Sequence, residues 1–149
     1  MELTDCVVNM DDVPGVGTPT GTTLKVPTHP EVTGTPKTAP LSLLLVILPP
    51  GTSTSLHIHE TSDEYEYILC GTGVLQTGDK KGISVRQDMV VINLIGVQHE
   101  IKNTGKDTMK LLRVHIPPLE PWQPGDAIEK AINDAKKAFD ATTRTFKSS

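Results

Sequence analysis

Aromatic side chains are nearly missing from this chain of 149 residues. Tyr65, Tyr67, Trp122, Phe139 and Phe146 make up its entire 3%. Its core must therefore be aliphatic, mostly Val, Ile and Leu. Cysteine is as scarce, and Cys6 and Cys70 form neither a CxxC pair nor a metal spacing. They fit free thiols in a reducing cytoplasm better than a disulfide framework. Basic charge is also short: 14 Lys and Arg against 18 Asp and Glu give a formal net charge of −4. That balance gives no reason to expect nucleic acid or an anionic membrane as partner. The longest apolar run, Leu41 to Leu48, is interrupted by Ser42 and is far too short to span a bilayer. The first residues show no basic segment followed by an apolar stretch, so no secretory leader is expected and the expected location is cytoplasmic.

What is present suffices for one ordinary domain. Hydrophobic residues are 36% and charged residues 21%, too apolar for a disordered chain. Three regions differ in composition. Residues 1–40 read as an extended arm, because positions 13–40 hold six Pro, four Gly and eight Thr. Repeated proline fixes φ and removes backbone donors, which excludes a long helix and leaves room for one or two short edge strands. The arm either hangs free or wraps the domain or a partner subunit.

Residues 41–116 read as strands separated by turns. Expected strands are Leu41–Leu48, Tyr65–Cys70, Val74–Thr77, Ile83–Val85, Met89–Ile92, His99–Lys102 and Met109–Ile116. Leu41–Leu48 is apolar on both alternating faces, so both should be covered. Many short strands without a helical period between them indicate an antiparallel sandwich or barrel. Residues 117–149 are expected to form a linker and one C-terminal α-helix. Ile128, Ile132, Ala135 and Phe139 fall on one stripe, and Asp126 with Glu129 forms a capping-box pattern.

The chemistry concentrates between Gly51 and Gly71. His57 and His59 are two apart, which on a strand sends both imidazoles to one face and Ile58 to the other. Glu64 can bring a carboxylate to the same centre across the turn at 60–63. His99 follows Gly96 in a later strand. Three imidazoles and one carboxylate suit a first-row divalent metal such as Fe, Mn, Ni, Zn or Cu.

At these residues the chain resembles the cupin superfamily. The first cupin motif has a Gly, five residues, His-x-His, three or four residues, a Glu, six residues and a Gly. Gly51, His57, His59, Glu64 and Gly71 satisfy every fixed position. Gly96, His99 and Asn103 match the second motif, while its proline position holds Leu94 and its first glycine falls at Asp88. Those departures touch a turn and no ligand. The resemblance covers about residues 41–116. It implies a double-stranded β-helix, or jelly-roll barrel, with His57, His59, Glu64 and His99 as metal ligands. Four protein ligands leave two octahedral positions open, as a catalytic metal requires.

Other candidates follow from parity. Glu66 shares the face of Glu64 if the strand is regular, either as a general base or as an exposed carboxylate at a strand end. Arg113 and His115 line the pocket if Leu111 faces inward, where the guanidinium could fork onto a substrate carboxylate. Otherwise they face the arm or a partner subunit. Tyr65 and Tyr67 point away from the site. Cys70 shares the parity of Ile68 and reads as a buried filler.

The leading expectation is a metal-dependent enzyme acting on a small oxygen-rich metabolite, such as a keto acid, hydroxy acid or sugar. Cupins include dioxygenases, isomerases, epimerases, decarboxylases and lyases, so the fold does not choose the reaction. The alternative is a non-enzymatic small-molecule or metal-binding sensor. A homodimer is expected, since symmetric pairs are the default oligomer and the strand Leu41–Leu48 needs cover on both faces.

Overall fold

A computed structural model describes residues 7–13, 15–27 and 41–118. These residues contain nine strands and no helix. The strands are β1 (Val16–Gly17), β2 (Thr23–Lys25), β3 (Ser42–Leu48), β4 (Asp63–Cys70), β5 (Thr72–Thr77), β6 (Lys80–Arg86), β7 (Val90–Asn93), β8 (His99–Asn103) and β9 (Met109–Ile116). One sheet has the order β1-β2-β3-β9-β4-β7, the other β6-β5-β8. Every pairing is antiparallel. Residues 53–57 lie along the other edge of β8 through bridges between Ser53 and Lys102 and between His57 and His99. The result is the all-β jelly roll expected from the short, regularly spaced runs. The expected C-terminal helix at 126–141 lies outside the described residues. No helix among the described residues is long and apolar enough to cross a membrane.

Part of the arm joins the barrel. Leu24 pairs with Val46, which extends the large sheet by two short strands and covers the edge of β3. Val13, Val16, Leu24 and Val26 are buried, and Lys25 Nζ donates to the Met10 carbonyl at 2.7 Å. The core is aliphatic as the composition demands. Leu44, Val46, Leu48, Ile68, Val91, Met109 and Leu111 from the large sheet meet Leu75, Val85 and Ile101 from the small one.

Strand register arranges the inner wall in transverse rows. Ser42, His115, Glu64 and Asn93 stand side by side on β3, β9, β4 and β7. The next row is Leu44, Arg113, Glu66 and Val91; beyond it Val46, Leu111 and Ile68 are wholly apolar. Polar groups therefore collect at one end of the barrel and hydrocarbon at the other. Across β3, β9, β4 and β7 the two central outward rows are uncharged: Leu43, Val114, Tyr65 and Ile92, then Leu45, Leu112, Tyr67 and Val90; Lys25, Lys110 and Asp63 lie at their margins. Val90 and Ile92 are more than half exposed there, at 58% and 56%.

Two local readings change. Cys70 does not keep the parity of Ile68, because a bulge between them shifts the register of β4 against β9. It is only half-buried, with Sγ 3.6 Å from the Thr108 carbonyl. The β5–β6 connection is also tighter than the Gly78–Gly82 loop suggests, since β6 begins at Lys80 and Gly78 turns the chain at φ 53°. Asp88, at the second motif's first glycine position, has a left-handed backbone at φ 67°. Aspartate is one of the few side chains that tolerates it. The Tyr67 hydroxyl donates to Asp88 Oδ1 at 2.7 Å and holds the turn.

Candidate metal centre

The turn beginning at Gly51 delivers two histidines to the barrel mouth. Gly51 has φ 80°, and its amide donates to the Asn103 carbonyl at 3.1 Å, which docks the turn on the end of β8. His57 then exchanges backbone hydrogen bonds with His99, at 3.1 and 2.9 Å. Two imidazoles far apart in sequence thus become neighbours, their ring centroids 4.4 Å apart. Gly96, with φ 76°, donates its amide to the His59 carbonyl at 2.9 Å and fixes the second histidine from the same side. Glu64 enters from β4, fully buried.

One ligand atom from each of His57, His59, Glu64 and His99 lies within 4.8 Å of every other. The tautomers of two rings are set by main chain. His57 Nδ1 donates to the Ser55 carbonyl at 2.7 Å and His99 Nδ1 to the Val97 carbonyl at 2.8 Å. Their Nε2 lone pairs are left facing the centre, the arrangement by which backbone carbonyls orient metal-bound histidines. His57 Nε2 is 3.2 Å from His59 Nε2, His59 Nε2 is 3.1 Å from Glu64 Oε2, and His99 Nε2 is 3.1 Å from Glu64 Oε1. Ligand atoms about 2.1 Å from a shared ion and at right angles are about 3.0 Å apart. The buried His99 Nε2 has only the Glu64 carboxylate beside it, a contact that a neutral ring with its proton on Nδ1 cannot satisfy as a hydrogen bond. A divalent cation among these atoms would satisfy it, so the donor set fits such an ion.

Burial and charge set the titration of the group. Burial, with the Arg113 charge adding to it, lowers His57 to about 4. Burial also lowers His115 to about 4, against its hydrogen bond to Glu64. Glu64 is pushed up by burial but held well below the usual carboxylate range by Arg113 and by its bonds to His115, His59 and His99. His99 is pushed down by burial and raised on balance by Glu64, so proton and cation compete for one nitrogen.

Glu66 is not the exposed strand-end carboxylate that was one expectation. It is 0% exposed. Arg113 donates to its Oε1 through Nε at 2.8 Å and Nη2 at 2.5 Å, and Oε2 has no partner. Burial raises Glu66 to about 7, against the pull of Arg113. Arg113 Nε also lies 3.0 Å from Glu64 Oε2, and the two carboxylates outweigh burial to raise the guanidinium. The strand parity that puts Leu111 inside therefore puts Arg113 and His115 there too. His115 Nε2 donates to Glu64 Oε2 at 3.1 Å. Asn93, which the sequence reading did not single out, donates through Nδ2 to Glu64 Oε1 at 2.9 Å. Its signal was a polar residue at the inward position of Val-Val-Ile-Asn.

The profile of the cupin domain family matches residues 44–115. Residues 44–115 are a cupin domain. An oxalate-binding protein of Thermotoga maritima is 39% identical over 69 residues, 46% of this chain and 56% of that one. An uncharacterized protein of Methanocaldococcus jannaschii is 38% identical over 77 residues, 52% of this chain and 61% of its own length. The alignments thus span less than two thirds of either curated relative. Among solved structures, a predicted oxalate decarboxylase of Thermotoga maritima superposes with a TM-score of 0.63 at 25% identity. That match covers 74% of this chain and 98% of the other chain.

Proposed function

We propose that this cupin is a metal-dependent enzyme acting on a small carboxylate with adjacent oxygens, such as a keto acid, hydroxy acid or oxalate-like acid. The observation that carries the reading is the pair of backbone-locked histidines whose Nε2 lone pairs converge on Glu64. His57, His59, Glu64 and His99 would hold one divalent transition metal, Fe, Mn, Ni, Zn or Cu. The ion would polarise a substrate carbonyl or carboxylate oxygen. Arg113 would bind a substrate carboxylate through N–H groups not engaged by Glu66. His115 lies beside it as a second substrate-side candidate. Glu66, with one oxygen on Arg113 and the other unpartnered, is the acid–base candidate.

Formal charge supports an anionic ligand. Glu64 and Glu66 against Arg113 leave −1 on the inner wall, and a divalent ion turns this to +1. Buried charge left uncompensated is costly, and a carboxylate neutralises it. A second reading, ligand binding without turnover, is favoured by the name of the Thermotoga maritima relative.

Metal analysis of untagged protein, followed by calorimetry with oxalate and 2-hydroxy and 2-keto acids, tests the proposal. One metal per chain is expected, lost in His59→Ala and His99→Ala. Arg113→Ala should keep the metal and lose carboxylate affinity. Full metal occupancy in the His59→Ala, His99→Ala double variant would refute the site. Turnover of a bound acid separates the enzyme from the binding reading.

We also propose self-association as a homodimer through the outward rows of the large sheet. Leu45, Leu112, Tyr67 and Val90 beside Val114, Tyr65 and Ile92 carry no charge, so two copies can meet face to face without opposing like charges.

A further inference from the structure

Glu64 is gripped by more than its prospective ion. Asn93 and His115 stand opposite it in the register of the two neighbouring strands, one on each side. Asn93 Nδ2 takes Oε1 at 2.9 Å, and His115 Nε2 takes Oε2 at 3.1 Å. Oε1 thus has an amide donor from β7, and Oε2 has two donors from β9, His115 Nε2 and, at 3.0 Å, Arg113 Nε. His115 is not one of the four residues whose ligand atoms crowd within 4.8 Å, so its contact is a hydrogen bond to the carboxylate.

The far ends of both side chains are anomalous. Asn93 Oδ1 and His115 Nδ1 are buried with no partner, although Asn93 and His115 are only 1% exposed. A buried unsatisfied acceptor costs free energy that an aliphatic residue at the same position would not incur. Toward the apolar end of the barrel the same two strands carry aliphatic residues at inward positions, Val91 one row away and Leu111 two rows away. Polar groups at these two positions are explained by what their satisfied ends hold. We propose that Asn93 and His115 are positioning residues that clamp the Glu64 carboxylate from both sides and so set its aim and donor strength toward the metal. The inference rests on the metal reading above and deepens it. It gives His115 a role through Glu64 in place of direct substrate contact.

The test strips the full-length protein with a chelator and titrates it with Co2+, reading affinity by calorimetry and ligand field by visible absorption. Asn93→Leu and His115→Leu should each weaken Co2+ binding about 10- to 100-fold and shift its absorption bands. His115→Gln, whose amide can donate to the same oxygen, should recover most of both. Circular dichroism and melting of the metal-free variants establish that each is folded. If His115→Leu does not fold, Asn93→Leu and His115→Gln carry the test. Folded leucine variants with wild-type affinity and spectrum would overturn the inference. So would a glutamine variant no better than the leucine one. Wild-type protein that binds no Co2+ would overturn the metal reading and this inference together. Wild-type binding that is lost in His99→Ala but kept in both leucine variants would overturn the clamp alone.

Discussion

Asn103 belongs to the second cupin motif, yet its side chain points to architecture. It is 0% exposed. Nδ2 donates to the Leu48 carbonyl and to the Asp107 carbonyl, both at 2.8 Å, and Oδ1 accepts from the Gly105 amide at 2.9 Å. One amide thus ties the end of β3 to the β8–β9 turn. Asn103→Ala removes three hydrogen bonds; the Leu48 and Asp107 carbonyls lose this donor, while the Gly105 N–H keeps the Thr72 carbonyl at 3.2 Å. The Leu48 contact is buried and the other two are partly buried, so each loss costs about 1 kcal/mol, the first somewhat more. The sum is about 3 kcal/mol, or about 6–12 °C in melting temperature for a domain of this size. Asn103→Asp should be worse, since it turns both donors into acceptors aimed at carbonyls and buries a charge. Urea unfolding of the metal-free protein measures the loss, and metal titration below the transition measures the site. A loss below about 1 kcal/mol would show that the side chain does not hold the turn. Weakened metal binding in folded Asn103→Ala would show that the motif asparagine serves the centre directly.

Three further outcomes are expected. Glu64 raises His99 above its usual value, so metal must displace a proton from more of the protein than it would from an ordinary imidazole. Affinity should fall about tenfold per pH unit below pH 6.5 as the protonated ring increasingly excludes the ion. Calorimetry in buffers of different ionisation enthalpy should show proton release, and affinity unchanged between pH 7 and 5 would place His99 outside the centre. Gly71 has φ 92°, and a Cβ there would sit 2.7 Å from Met109 Cα. Gly71→Ala should therefore cost at least about 2 kcal/mol in denaturant unfolding, and a neutral result would contradict the close approach of β4 and β9. Light scattering should return about twice the 16.1 kDa chain mass. Val90→Lys and Tyr67→Lys should bring it to the monomer, and a wild-type monomer at micromolar concentration would refute the paired sheet.

The fold was legible because alternation and turn chemistry agree along the barrel. Burial alternates without a break along Ser42–Leu48 and Met109–Ile116, although the first is apolar on both faces in sequence, and Gly71 and Gly96 mark turns at positive φ. Parity failed at Cys70, where a bulge adds a residue that no local signal announces. The arm was harder. Its Pro, Gly and Thr forbid a helix, but whether it hangs free or pairs depends on an open edge elsewhere. That edge is β3, and Thr23–Lys25 takes it.

The centre was legible to different depths for different physical reasons. His57 and His59 declare a shared face by their spacing, and Glu64 follows within one turn. His99 joins them through pairing of its own backbone with that of His57, a long-range register that spacing alone does not reveal. The fate of Glu66 and Arg113 was undecidable from either strand alone, because each is costly inside without the other. Only the register Glu66↔Arg113 resolves it, since it puts a guanidinium beside a carboxylate and makes burial of both tenable. Asn93 was missed for a related reason. A lone asparagine ending an aliphatic strand reads as a cap or turn residue until the opposite strand is known to carry a glutamate. Once Glu64 stands across from it, the same residue has an acceptor to hold, and the inner wall of this cupin becomes a row in which each polar group accounts for its neighbour.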